Sequence, residues 1–165
     1  YSGRSVEGGV LRDLIHEIDY AGWIFGWPTA LQACVKNIGR LEIMSDETAD
    51  LFWEIYGGGM VSMRLDYLSK PTRRRMIACG ERGTLEWDGV TNTVGIHRDG
   101  EMKQQQLIQG RNDIFAEQME VFLKSCDGDC DTRLATGVEG VKALAVCDAA
   151  WRATQSNRKE QVMYK

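Results

Sequence analysis

Residues 8–28 read GGVLRDLIHEIDYAGWIFGWP, and their pattern predicts an amphipathic helix. At about 100° per residue, apolar side chains fall on one side and polar side chains on the other. The apolar side holds Leu11, Leu14, Ile15, Ile18, Gly22 and Phe25, and the polar side holds Asp13, His16, Glu17 and Tyr20. Gly26 tolerates a left-handed cap, and Pro28 cannot continue the helical hydrogen bonds. We therefore expect the helix to end near Phe25.

The polar side of this helix carries a candidate acid/base pair. Asp13 and His16 are about one helical turn apart, so the carboxylate can orient the imidazole and raise its basicity. Such a pair suits general acid/base catalysis near neutral pH. Asp19 lies off this side, beside Arg12. Spacing alone favours a second interpretation, in which His16 is a solvated helix residue with acidic neighbours.

The run GVLRDLIHEID at 9–19, followed by WIFG at 23–26, resembles the first helix after the nucleotide-binding domain of the Gfo/Idh/MocA oxidoreductases. This is the family of glucose-fructose oxidoreductase and inositol dehydrogenase. Later features keep the order of that family: ETAD at 47–50, a glycine-rich hairpin, GERGTL at 80–85 and a closing helix rich in small residues. The resemblance covers nearly the whole chain, and it is to the carboxy-terminal half of such an enzyme.

The resemblance implies an NAD(P)-dependent oxidoreductase that acts on a hydroxyl of a sugar, polyol or sugar derivative. His16 would then take the alcohol proton while hydride leaves to the nicotinamide. Asp13 would orient His16 and bind substrate hydroxyls, with Arg12 and Tyr20 as further substrate-binding neighbours. The family more often has three residues between this Asp and His, whereas here there are two, and both spacings keep the pair on one helical face.

Two motifs of a complete enzyme of this kind are missing from the chain. It has no Gly-x-Gly-x-x-Gly turn between a strand and a helix, and no Glu-Lys-Pro motif. We therefore expect residues 1–165 to be one substrate-binding and oligomerisation domain, without the Rossmann domain, that binds no cofactor and is inactive alone. The chain begins at Tyr1 without an initiator Met, which favours a piece of a longer protein. The alternative is a non-catalytic, self-associating binding or scaffold module.

Composition limits the remaining classes of protein. The 43% hydrophobic residues in 165 suffice for a core of one domain. A net charge of −4 argues against nucleic acid or an anionic membrane as partner, and no apolar run or leader indicates membrane targeting. The odd number of scattered cysteines, 5, favours free thiols in a reducing, cytoplasmic compartment. The run CDGDCD at 126–131 could hold a cation, but a turn is the better interpretation, and we expect no metal.

The rest of the chain predicts an α+β fold: an open, mainly antiparallel sheet with helices packed on one face. Strands are expected at 30–38, 48–56, 60–68, 73–79, 83–87, 93–98, 101–109 and 161–165, and helices at 113–125 and 138–154. His97, the other histidine, is expected at the surface. Because apolar residues occur on both sides of 48–56, we expect a homodimer or homotetramer formed through the uncovered sheet face. The resemblance implies the same assembly.

Overall fold

The structure, a computed structural model, describes residues 3, 8–108, 110–129 and 131–164, with only the backbone of Arg111. These residues form two compact units, one reaching to Leu68 and resuming at Ala135, the other spanning Ser69–Leu134. The described elements, in chain order, are α1 (Val10–Asp13), α2 (Ile15–Phe25), β1 (Ala30–Lys36), β2 (Thr48–Glu54), β3 (Met60–Asp66), β4 (Arg75–Gly80), β5 (Gly83–Asp88), β6 (Thr93–Arg98), β7 (Glu101–Gln106), α3 (Arg111–Cys126), α4 (Gly137–Ser156) and β8 (Glu160–Gln161).

The predicted first helix is present as two consecutive helices. Leu14 interrupts it with φ −99° and ψ 26°, outside the helical region, so α1 is a single turn and α2 carries the rest. The end at Phe25 is confirmed, because Gly26 follows with φ 98°. Val10, Leu11 and Ile18 are fully buried, as their place on the apolar side predicts.

The first unit contains an antiparallel sheet in the order β3-β2-β1-β8. Strand β2 alternates strictly, with Ala49, Leu51 and Trp53 buried and the residues between them exposed. Helix α4 packs on β1 and β8, and α1 packs on β2 and β3, so the helices cover one face of the sheet. The predicted α+β class, with its helices on one face, is confirmed.

Helix α4 approaches β1 closely because its inward side chains are small. Ala149 and Ala150 are completely buried, and Val146 and Cys147 are buried with them. Strand β8 pairs only with Ala30 and Leu31, so the outer edge of β1 continues without a strand beside it. There the side chain of Thr154 accepts a hydrogen bond from the Val35 N–H at 2.9 Å. A helical side chain thereby replaces the missing strand partner.

The second unit contains a separate antiparallel sheet in the order β4-β5-β6-β7, so the strands lie in two sheets rather than one. Among its described residues, none of the hydrophobic side chains is fully buried. Trp87 packs beneath the guanidinium of Arg74, 5.1 Å from its ring centroid. Helix α3 was expected to pack on a sheet, but its large apolar side chains remain about half exposed: Ile114, Phe115, Met119, Phe122 and Leu123. The sequence period predicts the apolar face of a helix but not what covers it.

Several predicted strands are longer than the observed ones. The first ends at Lys36 rather than 38, the seventh at Gln106 rather than 109, and the last contains only Glu160–Gln161. Gln109, Cys130 and Lys165, which the predictions also included, lie outside the described residues. In the part of the chain that the structure describes, none of the helices combines the length and apolarity that crossing a bilayer requires.

Candidate functional site

The start of α1 is fixed by a buried aspartate from the loop before β2. Asp46 is 3% exposed, and its backbone oxygen accepts from the Val10 N–H at 3.0 Å. Its carboxylate accepts from the Leu11 N–H at 2.9 Å. These bonds satisfy helical N–H groups that have no partner within the helix. Gly9 makes the approach possible, because it has φ 100° and any Cβ there would overlap the Asp46 carboxylate.

Asp13, the last residue of α1, is held by a tyrosine from the sheet. The hydroxyl of Tyr67 donates to Oδ2 of Asp13 at 3.1 Å in a part-buried position. Tyr67 directly follows β3, and its own N–H donates to the backbone oxygen of Glu47 at 3.1 Å. The Asp13 carboxylate is therefore anchored by a side chain that comes from 54 positions further along the chain.

His16 lies near the start of α2, with its side chain 53% exposed. Its Nε2 lies 3.1 Å from Oε1 of Glu17, whose side chain is only 12% exposed. Among the described contacts, the imidazole thus pairs with Glu17, while Tyr67 holds Asp13. An imidazole that reaches solvent and rests against a mostly buried carboxylate can exchange a proton with a bound molecule.

The other two predicted site residues face the helices. Arg12 forms an ion pair with Asp148 of α4, at 3.6 Å. Tyr20 is partly buried against the core of the first unit. Asp19 also lies towards α4, where burial raises its pKa and the negative charge of Glu139 raises it further. The structure therefore keeps Asp13 and His16 on adjacent turns and directs Arg12 to α4.

Beneath α1 lies the thiol of Cys147, which is completely buried. Its Sγ is 3.7 Å from the backbone oxygen of Leu11, to which it donates a weak hydrogen bond. Burial raises the pKa of Cys147 to about 12. This thiol remains protonated at neutral pH and belongs to the packing under the helix.

A second buried acid, Glu47, organises the loop next to Asp46. Its carboxylate is fully buried and accepts from the N–H groups of Ile38 at 2.8 Å and Arg40 at 2.9 Å, and also from that of Leu41. Burial raises the pKa of Glu47, but the backbone donors of residues 38–41 together lower it below its ordinary value. Residues 46 and 47 thus connect α1, the loop and the backbone of Tyr67.

Sequence reasoning missed three residues at this site: Tyr67, Asp46 and the pairing role of Glu17. Tyr67 was predicted on the apolar face of a strand, and nothing in a local pattern indicates that its hydroxyl reaches Asp13. The adjacent acids Asp46 and Glu47 are a usable signal, because two charged residues directly before a strand of buried residues need partners.

One further cavity, of about 550 Å³, lies in the second unit at the β6–β7 turn, and none of the predicted site residues lines it. His97 borders it and is partly buried, with Nε2 3.7 Å from Oε1 of Glu86. Within the described parts of the chain, His, Cys, Asp and Glu side chains form no cluster of three able to hold a metal ion.

An α+β domain with one face of its sheet covered by helices and an acid/base histidine beside it defines a class of oxidoreductase domains. The family model described as "Oxidoreductase family, C-terminal alpha/beta domain" matches residues 3–163. The chain belongs to this family, the Gfo/Idh/MocA oxidoreductases, and corresponds to the C-terminal domain of its members. No curated protein matches the chain.

Solved structures agree on the fold. An oxidoreductase from Agrobacterium radiobacter, solved with NAD⁺, L-tartaric acid and magnesium, has a TM-score of 0.80 at 17% identity, over 98% of this chain and 51% of that one. The UDP-N-acetylglucosamine 3-dehydrogenase GnnA from Acidithiobacillus ferrooxidans has 0.77 at 20% identity, over 89% and 47%. The WlbA dehydrogenase from Bordetella pertussis, solved with NADH and UDP-GlcNAcA, has 0.70 at 20% identity, over 96% and 47%. The chain spans about half the length of these structures.

Proposed function

We propose that this chain is the substrate-binding and oligomerisation domain of an NAD(P)-dependent oxidoreductase that acts on a hydroxyl of a sugar, polyol or sugar derivative. The observation that carries the proposal is the exposed His16 imidazole, 3.1 Å from the Glu17 carboxylate and next to Asp13. The two structural relatives that are named dehydrogenases support the substrate class, one being a UDP-N-acetylglucosamine dehydrogenase and the other solved with UDP-GlcNAcA. The family match runs through both units, which supports one domain.

Oxidation of an alcohol removes a hydride from carbon and a proton from oxygen. The oxidised nicotinamide, when bound, supplies the hydride acceptor, and this chain has no glycine-rich turn of its own to hold it. The proton passes to His16. With Nε2–H directed at Glu17, the unprotonated nitrogen is Nδ1, and the resulting imidazolium charge is stabilised by the Glu17 carboxylate. Asp13 binds a substrate hydroxyl and thereby orients the carbon that loses hydride.

Replacement of His16 in the complete gene product tests this assignment. We expect His16→Ala to lower turnover by about 10²–10⁴-fold, the usual contribution of a general acid/base, with NAD(P) binding unchanged. The matched control is His97→Ala, the other histidine of the chain, which should change neither quantity. Steady-state kinetics over a panel of sugars and polyols and a nicotinamide fluorescence titration provide the readouts.

Two results would reject the proposal. A gene product that binds no dinucleotide, or one whose turnover survives His16→Ala, would leave the non-catalytic scaffold module as the better account. The first result removes the redox chemistry altogether, whereas the second removes only the role of His16. The isolated domain without the dinucleotide-binding part should show no turnover in the same assay.

We also propose that the complete protein assembles as a homodimer or homotetramer through the uncovered face of the first sheet. Phe52 and Met60 are exposed on this face, at 38% and 69%. Sedimentation velocity of the complete protein tests this, and a monomer, or an oligomer unchanged by Phe52→Glu, contradicts it. The exposed free thiols of Cys34, Cys79 and Cys126 support a reducing, cytoplasmic location.

A further inference from the structure

Two separate segments of the chain fix the short helix that ends at Asp13. Asp46 holds its first N–H groups, and Tyr67 holds the carboxylate at its last residue through a 3.1 Å hydrogen bond to Oδ2. A helix of four residues has too few internal hydrogen bonds to be stable alone. The position of the Asp13 carboxylate therefore depends on these outside contacts.

Tyr67 is well suited to hold that carboxylate. Its ring packs against the buried core of the first unit, and its N–H is bonded to the backbone oxygen of Glu47. The side chain of tyrosine has only two rotatable bonds before the ring, so its hydroxyl is fixed at small entropic cost. Asp13, by contrast, directly precedes Leu14, where the helix is interrupted.

The hydrogen bond uses only part of the capacity of Asp13. A carboxylate offers about four lone-pair positions, and the described bond from Tyr67 occupies one of them on Oδ2. The remaining capacity includes Oδ1, which can accept from a hydroxyl donor. A carboxylate held in one orientation binds a hydroxyl more tightly than one that must be ordered during binding.

We propose that Tyr67 is a positioning residue, acting through Asp13, that presents the carboxylate to one hydroxyl of the substrate. This rests on the proposed function, because it assumes that Asp13 binds a hydroxyl of a sugar or polyol. It adds to that function a residue from the end of β3, outside the helical stretch that carries His16. It also requires that the substrate has a second hydroxyl besides the one that is oxidised.

A double-mutant cycle in the complete protein tests the proposal. We expect Tyr67→Phe, which removes only the hydroxyl, to raise KM about fivefold, the size of one neutral hydrogen bond, with a smaller change in kcat. In an Asp13→Ala background the same change should have no further effect on KM, because the partner is gone. The matched control is Tyr56→Phe, since Tyr56 is fully exposed, and it should leave KM unchanged.

Deoxy analogues of the substrate give a second readout. The analogue that lacks the bound hydroxyl should raise KM for the wild type, and Tyr67→Phe should raise it no further. A purely structural role of Tyr67 would instead lower the active fraction, and so kcat, without this selectivity. KM does not depend on the amount of folded enzyme, so partial misfolding does not imitate the expected result.

The outcomes separate this inference from the function on which it rests. If His16→Ala abolishes turnover but Tyr67→Phe leaves KM unchanged, or raises it equally with and without Asp13, the role of Tyr67 is wrong and the function stands. If His16→Ala leaves turnover intact, the proposed function itself is wrong.

Discussion

Gly9 and Asp46 show how strongly single residues determine the geometry of the candidate site. Gly9 has a backbone conformation that side chains rarely adopt, with φ 100°, and it leaves room for the carboxylate that caps α1. The tight approach of Asp46 to Val10 and Leu11 depends on that space. The position of Asp13, one turn later, inherits the precision of this contact.

Alanine at position 9 tests that dependence. We expect Gly9→Ala to lower the free energy of unfolding by about 1–3 kcal/mol, because it combines a strained φ with overlap against Asp46. The control is Gly140→Ala in the exposed part of α4, where a Cβ meets no neighbouring atom. There the same substitution should stabilise by about 0.5–1 kcal/mol, since alanine favours helix. Urea unfolding measures both, and equal signs would contradict the assignment.

Glu47 gives the protein a predictable response to acid. Its pKa is lower in the folded state than the ordinary value of 4.5, so its contribution to stability is complete above about pH 4.5 and disappears as the pH falls through the lowered value. We expect Glu47→Gln to be less stable than the wild type at pH 7 and the difference to shrink below pH 4.5. Urea midpoints at several pH values measure this.

The control for Glu47 is Glu54→Gln. The side chain of Glu54 is 66% exposed and forms a surface ion pair with Lys159 at 3.0 Å. Such pairs contribute little to stability, so this variant should follow the wild type at every pH. A constant offset for Glu47→Gln across the whole pH range would show that the loop, and not the charge, accounts for the loss.

At the scale of elements, α4 illustrates packing by small side chains. Ala149 and Ala150 are completely buried where the helix meets β1. We expect Ala150→Leu to cost about 1–3 kcal/mol, because added methylenes have no space in a packed core. Ala116→Leu, on the exposed surface of α3, should stay within about 0.5 kcal/mol of the wild type. Thermal unfolding compares the two, and similar losses would contradict close packing of α4.

Elements with local signals could be predicted from the sequence. The end of α2 followed from Gly26 and Pro28, and the β6 strand matched its predicted range because turn residues flank it. The burial of α4 followed from its composition. The interruption at Leu14 could not be predicted, because leucine favours helix and only the tertiary contacts of α1 and α2 explain a break there.

Contacts between distant residues could not be predicted either. The family and the candidate histidine came from the motif at 9–19, which is contiguous. The Tyr67–Asp13 bond joins residues 54 positions apart, and the Asp46–Leu11 bond joins residues 35 apart. No periodicity connects such positions. Equally, the apolar face of α3 was visible in the sequence, but what covers it is not a property of that segment.

At the scale of the whole molecule, the two units differ in the burial of their side chains. The fully buried hydrophobic side chains among the described residues all belong to the first unit, from Val10 to Val162. Strand β7 is exposed throughout, and α3 is half exposed. Since burial of apolar surface is the main stabilising contribution, the second unit of this 165-residue chain should open more readily.

Hydrogen exchange measured by mass spectrometry tests this difference. We expect the backbone amides of β4–β7 to exchange well before those of β1–β3, although both sheets are antiparallel and of equal strand number. The first sheet is the internal control, because it has the same kind of hydrogen bonds over a buried core. Exchange of both sheets at one common rate would show that the chain opens as a single cooperative body.

The thiol of Cys147 beneath α1 makes the protein its own reporter. A maleimide can reach this sulfur only when the helix lifts, and burial, which raises its pKa to about 12, slows the reaction further. Cys34, Cys79 and Cys126 are exposed and should be modified first. The slow alkylation that follows therefore times the breathing of the helix that carries Asp13, and a bound substrate should stretch that interval without any label having to be engineered.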